Sequence, residues 1–139
     1  MFFERDCSFA KKNDFMTVYE VVGGEAFFVQ LVEDFYRGVE QDPLLRPMYP
    51  DDMVGAKRRL HLFLMQYWGG PTTYSEERGH PRLRGRHMPF SIGLPERDAW
   101  MRHMTASLQA AEAPAEAKEV MLKYFEDVAT FMINRAEQS

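Results

Sequence analysis

Histidine is the residue type in this chain most easily drawn into metal binding, because its neutral imidazole ligates near physiological pH, and the chain has four: His61, His80, His87 and His103. Templates for other chemistry fail one after another, with no GxSxG, HExxH or CxxC, no P-loop glycine run and no GxGxxG following a strand. His61 lies beside an apolar helical face. His80 precedes Pro81 in a loop and His103 sits between Trp100 and Met104 off the main apolar stripe, and neither has a partner at ligand spacing. His87 differs, because it separates a basic run, Arg82-Leu83-Arg84-Gly85-Arg86, from an apolar one, Met88-Pro89-Phe90-Ser91-Ile92. Such a junction suits a ligand with two faces. A haem buries an apolar ring and leaves two carboxylates at its edge, so its site asks for a His ligand, aromatic walls and nearby arginines together. A solvated basic loop ending on a packed histidine is the commoner object with this pattern, and spacing alone leaves both readings open. Nucleic-acid contact is the weaker reading, since Tyr74 and Phe90 are the only aromatics interleaved nearby and the net charge is -4.

The elements that position these residues are helical. Thr17-Val18-Tyr19-Glu20 has the spacing of a capping box, and Gly23-Gly24 then halts a short helix. From Glu25 onward Phe28, Leu31, Val32, Phe35 and Val39 fall on one buried helical face, with Tyr36 beside it. Asp42-Pro43 and Tyr49-Pro50 break helix on either side of Leu44-Leu45, which predicts a tight corner. Ala56, Leu60, Phe63, Leu64 and Tyr67 line another face, ended by Gly69-Gly70-Pro71. Residues 72–95 are rich in glycine and proline without a clean period, which predicts loop with a helical turn or two around Leu83 to His87. A loop this long in a small domain usually has a job. Trp100, Met101, Met104 and Leu108 mark a further helix, and after Pro114 the positions Val120, Met121, Tyr124, Phe125 and Val128 mark a longer one.

At 139 residues, 45% hydrophobic and 14% aromatic, the chain has the size and composition of one packed domain, placed over 16–139 after an extension at 1–15 that is loosely ordered or a short helix. The single Cys7 cannot form an intrachain disulfide, which fits a reducing compartment. The charged start, Met1-Phe2-Phe3-Glu4-Arg5-Asp6, reads as neither secretory signal nor membrane anchor, so a cytoplasmic location is expected.

The residues resemble the group II truncated haemoglobins of bacteria, of the actinobacterial type. The resemblance runs from near Thr17 into the last helix. It is most specific over Gln66-Tyr67-Trp68-Gly69-Gly70-Pro71, Tyr74-Ser75-Glu76, and Arg78-Gly79-His80-Pro81-Arg82-Leu83-Arg84-Gly85-Arg86-His87-Met88-Pro89-Phe90. Val22-Gly23-Gly24, Phe35-Tyr36, Tyr49-Pro50 and Arg97-Asp98-Ala99-Trp100 support it. It implies an all-α truncated globin fold, a two-over-two helical sandwich around haem b, in which the proximal helix shrinks to a turn.

By the same resemblance His87, and not His80, is the iron ligand, oriented by a hydrogen bond from its other nitrogen. Tyr36, Tyr49 and Trp100 become the distal residues that stabilise a bound gas, and Ala56 faces the usual gate. Two phenols and an indole N–H can donate hydrogen bonds to a diatomic ligand of acceptor character. Arg59 and Arg86 are the candidates for the haem carboxylates, and Leu60, Phe63, Leu64, Leu83, Phe90 and Met104 for the apolar wall. The implied ligands are O2, NO, CO and sulfide, with a separate reductase and a homodimer as partners and neither nucleic acid nor membrane. Two functions compete: oxygen chemistry or detoxification of reactive nitrogen and oxygen species, as a nitric oxide dioxygenase or peroxidase-like enzyme, and carriage, storage or sensing of oxygen without turnover.

Overall fold

The structure, a computed structural model, describes residues 16–135, and the expected extension at 1–15 with Cys7 lies outside them. Among the described residues seven helices form, each started or stopped by local chemistry. α1 (Val18–Val22) opens on the capping box: Glu20 N–H donates to Thr17 Oγ1 at 3.2 Å, and Thr17 N–H donates to Glu20 Oε1 at 3.1 Å. It stops where Gly23 adopts a φ of 106°, which a side chain would resist. α2 (Glu25–Val39) buries the face its period predicts, with Phe28, Phe35 and Val39 at 0% exposure. The corner after it is held by Asp42, whose carboxylate accepts the amide of Leu44 at 2.9 Å and that of Leu45 at 3.4 Å. A 3-10 turn, Arg46–Met48, then delivers Tyr49.

α3 (Val54–Tyr67) ends at the expected glycines. The next stretch differs from expectation, since α4 (Thr73–Arg78) forms where loop was predicted. Its stabilisation is tertiary: the Gln66 carboxamide accepts Ser75 N–H at 2.9 Å and donates to Ser75 Oγ at 2.7 Å, while Tyr74 packs edge-on against Phe63 with ring centroids 5.6 Å apart. α5 (Leu83–His87) is the short turn anticipated there. α6 (Leu94–Ala110) starts ahead of its apolar stripe, because Pro95 sits in the first turn, where its missing N–H costs nothing, and Gly93 N–H donates to Glu96 Oε1 at 2.9 Å. α7 (Ala115–Phe131) completes the order.

α2 packs on α3 and on α6, and α6 packs on α7, so the pair α2/α3 stacks on the pair α6/α7. This is the two-over-two sandwich that the resemblance implies. Its centre is filled by Phe28, Leu31, Phe35, Leu64, Met121 and Phe125, and Ser107 Oγ ties α6 to α2 by donating to Leu31 O at 2.7 Å. Within the described residues no helix is long and apolar enough to cross a membrane. α5, with five residues and none fully buried, does not close the sandwich on its side. A cavity is left there.

Candidate functional site

The cavity measures about 500 Å³, within the range of small-molecule sites. Of the residues singled out from sequence, Tyr36, Tyr49, Ala56, Arg59, Leu60, Phe63, Leu64, Leu83, Arg86, His87, Phe90 and Trp100 all line it. Met104 is the exception. It lies one helical turn beyond Trp100 at 0% exposure, in the core rather than on the cavity wall. Tyr124, Phe125, Val128 and Ala129 of α7, with Met132 just after it, supply a side of the cavity; the sequence marks Tyr124, Phe125 and Val128 only as a helical face. Tyr74 joins it from α4, and Leu45, Met48 and Ile92 from the segments between the long helices.

His87 closes α5. Its Nδ1 lies 2.6 Å from the carbonyl oxygen of Leu83, one turn back, so Nδ1–H donates to that acceptor and the lone pair is left on Nε2. The other histidines are engaged elsewhere or set aside from this wall. His80 Nδ1 accepts Arg82 N–H at 3.1 Å, and His103 Nε2 lies 2.7 Å from Asp42 Oδ2. That second pairing gives His103 a structural partner that spacing had not revealed. The pairing with His103, helped by the two corner amides, holds the Asp42 carboxyl below the usual carboxylate range although burial opposes it.

Tyr36, Tyr49 and Trp100 form one connected group. The rings of Tyr36 and Tyr49 meet edge-on with centroids 5.4 Å apart, and Phe35 spaces Tyr36 from Trp100 with centroids 5.0 Å from each. The Tyr49 side chain interacts electrostatically with those of both Tyr36 and Trp100. Burial raises the Tyr36 pKa and the Tyr49 contact raises it further, as for a hydroxyl that donates. Burial raises Tyr49 as well, but there the contacts with Tyr36 and Trp100 pull the other way, as for an oxygen that accepts. The Trp100 indole N–H can only donate, so Tyr49 Oη is the acceptor available to it.

Arginines edge the cavity. Arg59 is exposed at the wall, one turn after the buried Ala56, where its charge favours the ionised form of Tyr36. Arg86 is differently occupied: its Nε donates to Pro81 O at 2.7 Å and its Nη2 to Arg78 O at 3.1 Å, bracing the loop before α5. The loop turns through Arg82, a non-glycine residue at φ 44°.

The donor set decides what kind of group fits. Among the described residues no group of three or more His, Cys, Asp or Glu is gathered to cage a bare ion. One imidazole in a cavity walled by aliphatic and aromatic side chains, with arginine at its edge, instead fits a metal that brings its own planar apolar ligand.

Residues 17–134 match the profile of a family described as bacterial-like globin. The chain is 40% identical over 125 residues to group 2 truncated hemoglobin YjbI of Bacillus subtilis, covering 90% of this chain and 94% of that protein. Among solved structures, a hemoglobin from the thermophilic phototroph Chloroflexus aurantiacus superposes with a TM-score of 0.85 at 55% identity, covering 86% of this chain and 99% of the other. A thermostable hemoglobin from the actinobacterium Thermobifida fusca gives a TM-score of 0.86 at 53% identity, covering 88% and 100%.

Proposed function

The chain belongs to the bacterial-like globin family, as a group II truncated haemoglobin, and from that premise we propose that it holds haem b through His87 Nε2 and captures dioxygen and related diatomic gases under the hydrogen-bonding control of Tyr36, Tyr49 and Trp100. The observation that carries the reading is the 2.6 Å bond from His87 Nδ1–H to Leu83 O, which frees Nε2 as a ligand on the wall of the same cavity that the trio lines. When bound, the haem supplies reversible gas binding and gives the gas acceptor character. The protein supplies the rest. Leu60, Phe63, Leu64 and Phe90 exclude water from the ring, Arg59 is placed for a carboxylate at its edge with Arg97 as a further cation on the wall, and Arg86 holds the loop that carries α5. Tyr49 O–H, on the cavity wall beside Tyr36 and Trp100, donates toward the gas. Ala56 is too small to block access and has no proton to donate.

The trio suits slow release of an acceptor ligand, which serves oxygen chemistry and removal of reactive nitrogen or oxygen species in the cytoplasm, with electrons delivered by a separate reductase. Each hydrogen bond to a partly charged ligand contributes about 1.5–3 kcal/mol, enough to slow escape by roughly one to two powers of ten. Stopped-flow or laser-photolysis measurements on Tyr36→Phe, Tyr49→Phe and Trp100→Phe test this; unchanged release in all three would sink it. His87→Gly should yield a weakly haem-bound protein restored by imidazole. Turnover with nitric oxide in the presence of a regenerating electron donor is expected, and a single stoichiometric reaction under those conditions would leave only binding.

A further inference from the structure

Residues 88–93, between His87 and α6, form no regular element, yet their backbone is held by residues that follow α7. The Asn134 carboxamide does most of this. Its Nδ2 donates to Phe90 O at 2.9 Å and to His87 O at 3.3 Å, and its Oδ1 accepts Ile92 N–H at 2.9 Å. The backbone N–H groups of Asn134 and Arg135 both donate to Ile92 O, at 2.8 and 3.1 Å. The Arg135 guanidinium joins Glu96 Oε1 at 2.8 Å and Ser91 Oγ at 2.9 Å, and packs so closely over Gly93 that a Cβ there would lie 2.4 Å from it. On the other side Arg84, three residues before His87, donates to Phe131 O at 3.1 Å and Ile133 O at 3.0 Å.

These bonds answer a question the short helix raises. α5 has five residues and buries none of them fully, so neither its length nor its packing fixes its axis. The bond from His87 Nδ1–H to Leu83 O lies within α5 and moves with it. It sets the rotation of the imidazole and not its distance from the rest of the cavity. Beside the side-chain donations of Arg84, the direct tie on the His87 backbone is the donation from Asn134, three residues past the end of α7, to the His87 carbonyl.

We propose that Asn134 is a positioning residue for His87: its carboxamide sets the height and tilt of the His87 imidazole in the cavity, and through them the strength with which that imidazole ligates the iron. The inference rests on His87 being the axial ligand. Outer partners of metal ligands characteristically alter affinity about 10- to 100-fold when removed. Asn134 differs from the usual outer partner in acting on the ligand's backbone rather than its ring.

The test is resonance Raman spectroscopy of the iron–histidine stretching band in the ferrous, gas-free holoprotein, with haem transfer to apomyoglobin and thermal melting measured on the same samples. Asn134→Ala should shift and broaden the band and speed haem transfer about tenfold or more. Asn134→Asp keeps the acceptor for Ile92 but loses both donations, and should do the same; it is the variant to read if Asn134→Ala yields no folded protein. Arg135→Met, which removes the Ser91 and Glu96 bonds without touching His87, should lower the melting temperature and leave the band where it is. A wild-type band and wild-type haem transfer in both Asn134 variants, whatever their melting temperatures, overturn the proposal. His87→Gly is the control: loss of its band sustains the axial reading, and persistence overturns that reading together with the role of Asn134.

Discussion

Replacing Tyr49 by Phe should destabilise the gas-free protein more than replacing Tyr36 does, and combining the two should be less harmful than Tyr49→Phe alone. The asymmetry follows from which oxygen accepts. On the assignment in which Tyr36 and Trp100 donate and Tyr49 receives, which the directions of their pKa shifts support, Tyr36→Phe removes one donor and leaves no N–H or O–H of the trio without a partner. That change costs about 1 kcal/mol, the net worth of one neutral hydrogen bond. Tyr49→Phe removes the acceptor of both bonds, stranding the hydroxyl of Tyr36, a residue only 4% exposed, together with the Trp100 indole N–H. A stranded buried donor costs about 1–3 kcal/mol, with the low end applying where the cavity admits water, so the single variant should lose about 2–4 kcal/mol. Adding Tyr36→Phe to it deletes the stranded hydroxyl and should return about 1 kcal/mol, because an apolar pair of similar shape is nearly neutral where a half-made pair is not. Guanidinium unfolding of the four ferrous proteins, at one fixed haem concentration so that haem linkage is common to all, measures the cycle. A double variant no more stable than Tyr49→Phe, or a Tyr36→Phe loss equal to that of Tyr49→Phe, would refute the assignment of donor and acceptor.

The Asp42 carboxyl, held below its ordinary range chiefly by the bond from His103, contributes stability that is fully present above the unfolded carboxylate pKa and lost as pH falls through the lowered folded value. Asp42→Asn should therefore cost about 2 kcal/mol at pH 7 and flatten the loss of melting temperature below about pH 4; an unchanged acid slope would contradict it. Gly69→Ala should be strongly destabilising, since the residue sits at φ 102° and a Cβ there would lie 2.5 Å from Thr17 Cβ and Cγ2. The left-handed conformation alone costs a side chain about 1–2 kcal/mol, so a thermal melt within error of wild type would exclude this geometry. Arg84→Met removes the two donations to Phe131 O and Ile133 O and the guanidinium 5.9 Å over the Phe131 ring, and should lower unfolding free energy by about 1 kcal/mol in a denaturant titration.

The parts of this fold that sequence discloses are those in which one segment carries its own instruction. The capping box at Thr17 and Glu20, the stripe from Phe28 to Val39 and the glycine stop after Tyr67 are local, and the structure follows them. α4 carries no such instruction. Thr73–Arg78 has one apolar side chain to bury, Tyr74, and is held as a helix by Gln66 from the preceding element, which no window over residues 73–78 contains. The start of α6 was readable and was passed over: Pro95 opens a helix when an acidic residue follows at Glu96, and the same proline read as part of a glycine- and proline-rich stretch looks like loop.

The site divides along the same line, but with a different consequence. Periodicity marks His87 only as a junction between charge and apolarity, and resemblance is what selects it among four histidines. Neither discloses how a histidine on a five-residue helix could be held firmly, because the groups that hold its segment, Asn134 and Arg135, lie beyond the last helix where no period runs. The signal available in sequence was one of need rather than pattern. A helix too short to fix its own axis, carrying a metal ligand, requires tethers from outside, and the free backbone groups of 88–93 require partners. Asparagine and arginine immediately after a long apolar helix are side chains able to supply both donors and an acceptor to such a segment. The same reasoning explains why the Arg86 guanidinium is engaged with Pro81 and Arg78: a loop that passes through a left-handed Arg82 has carbonyls that need donors, and Arg86 supplies two. In a fold whose helix at this position is reduced to a turn, the arginines around His87 are first needed to build the turn, and that leaves Arg59 on α3 and Arg97 on α6 as cations at the cavity wall that the loop does not claim.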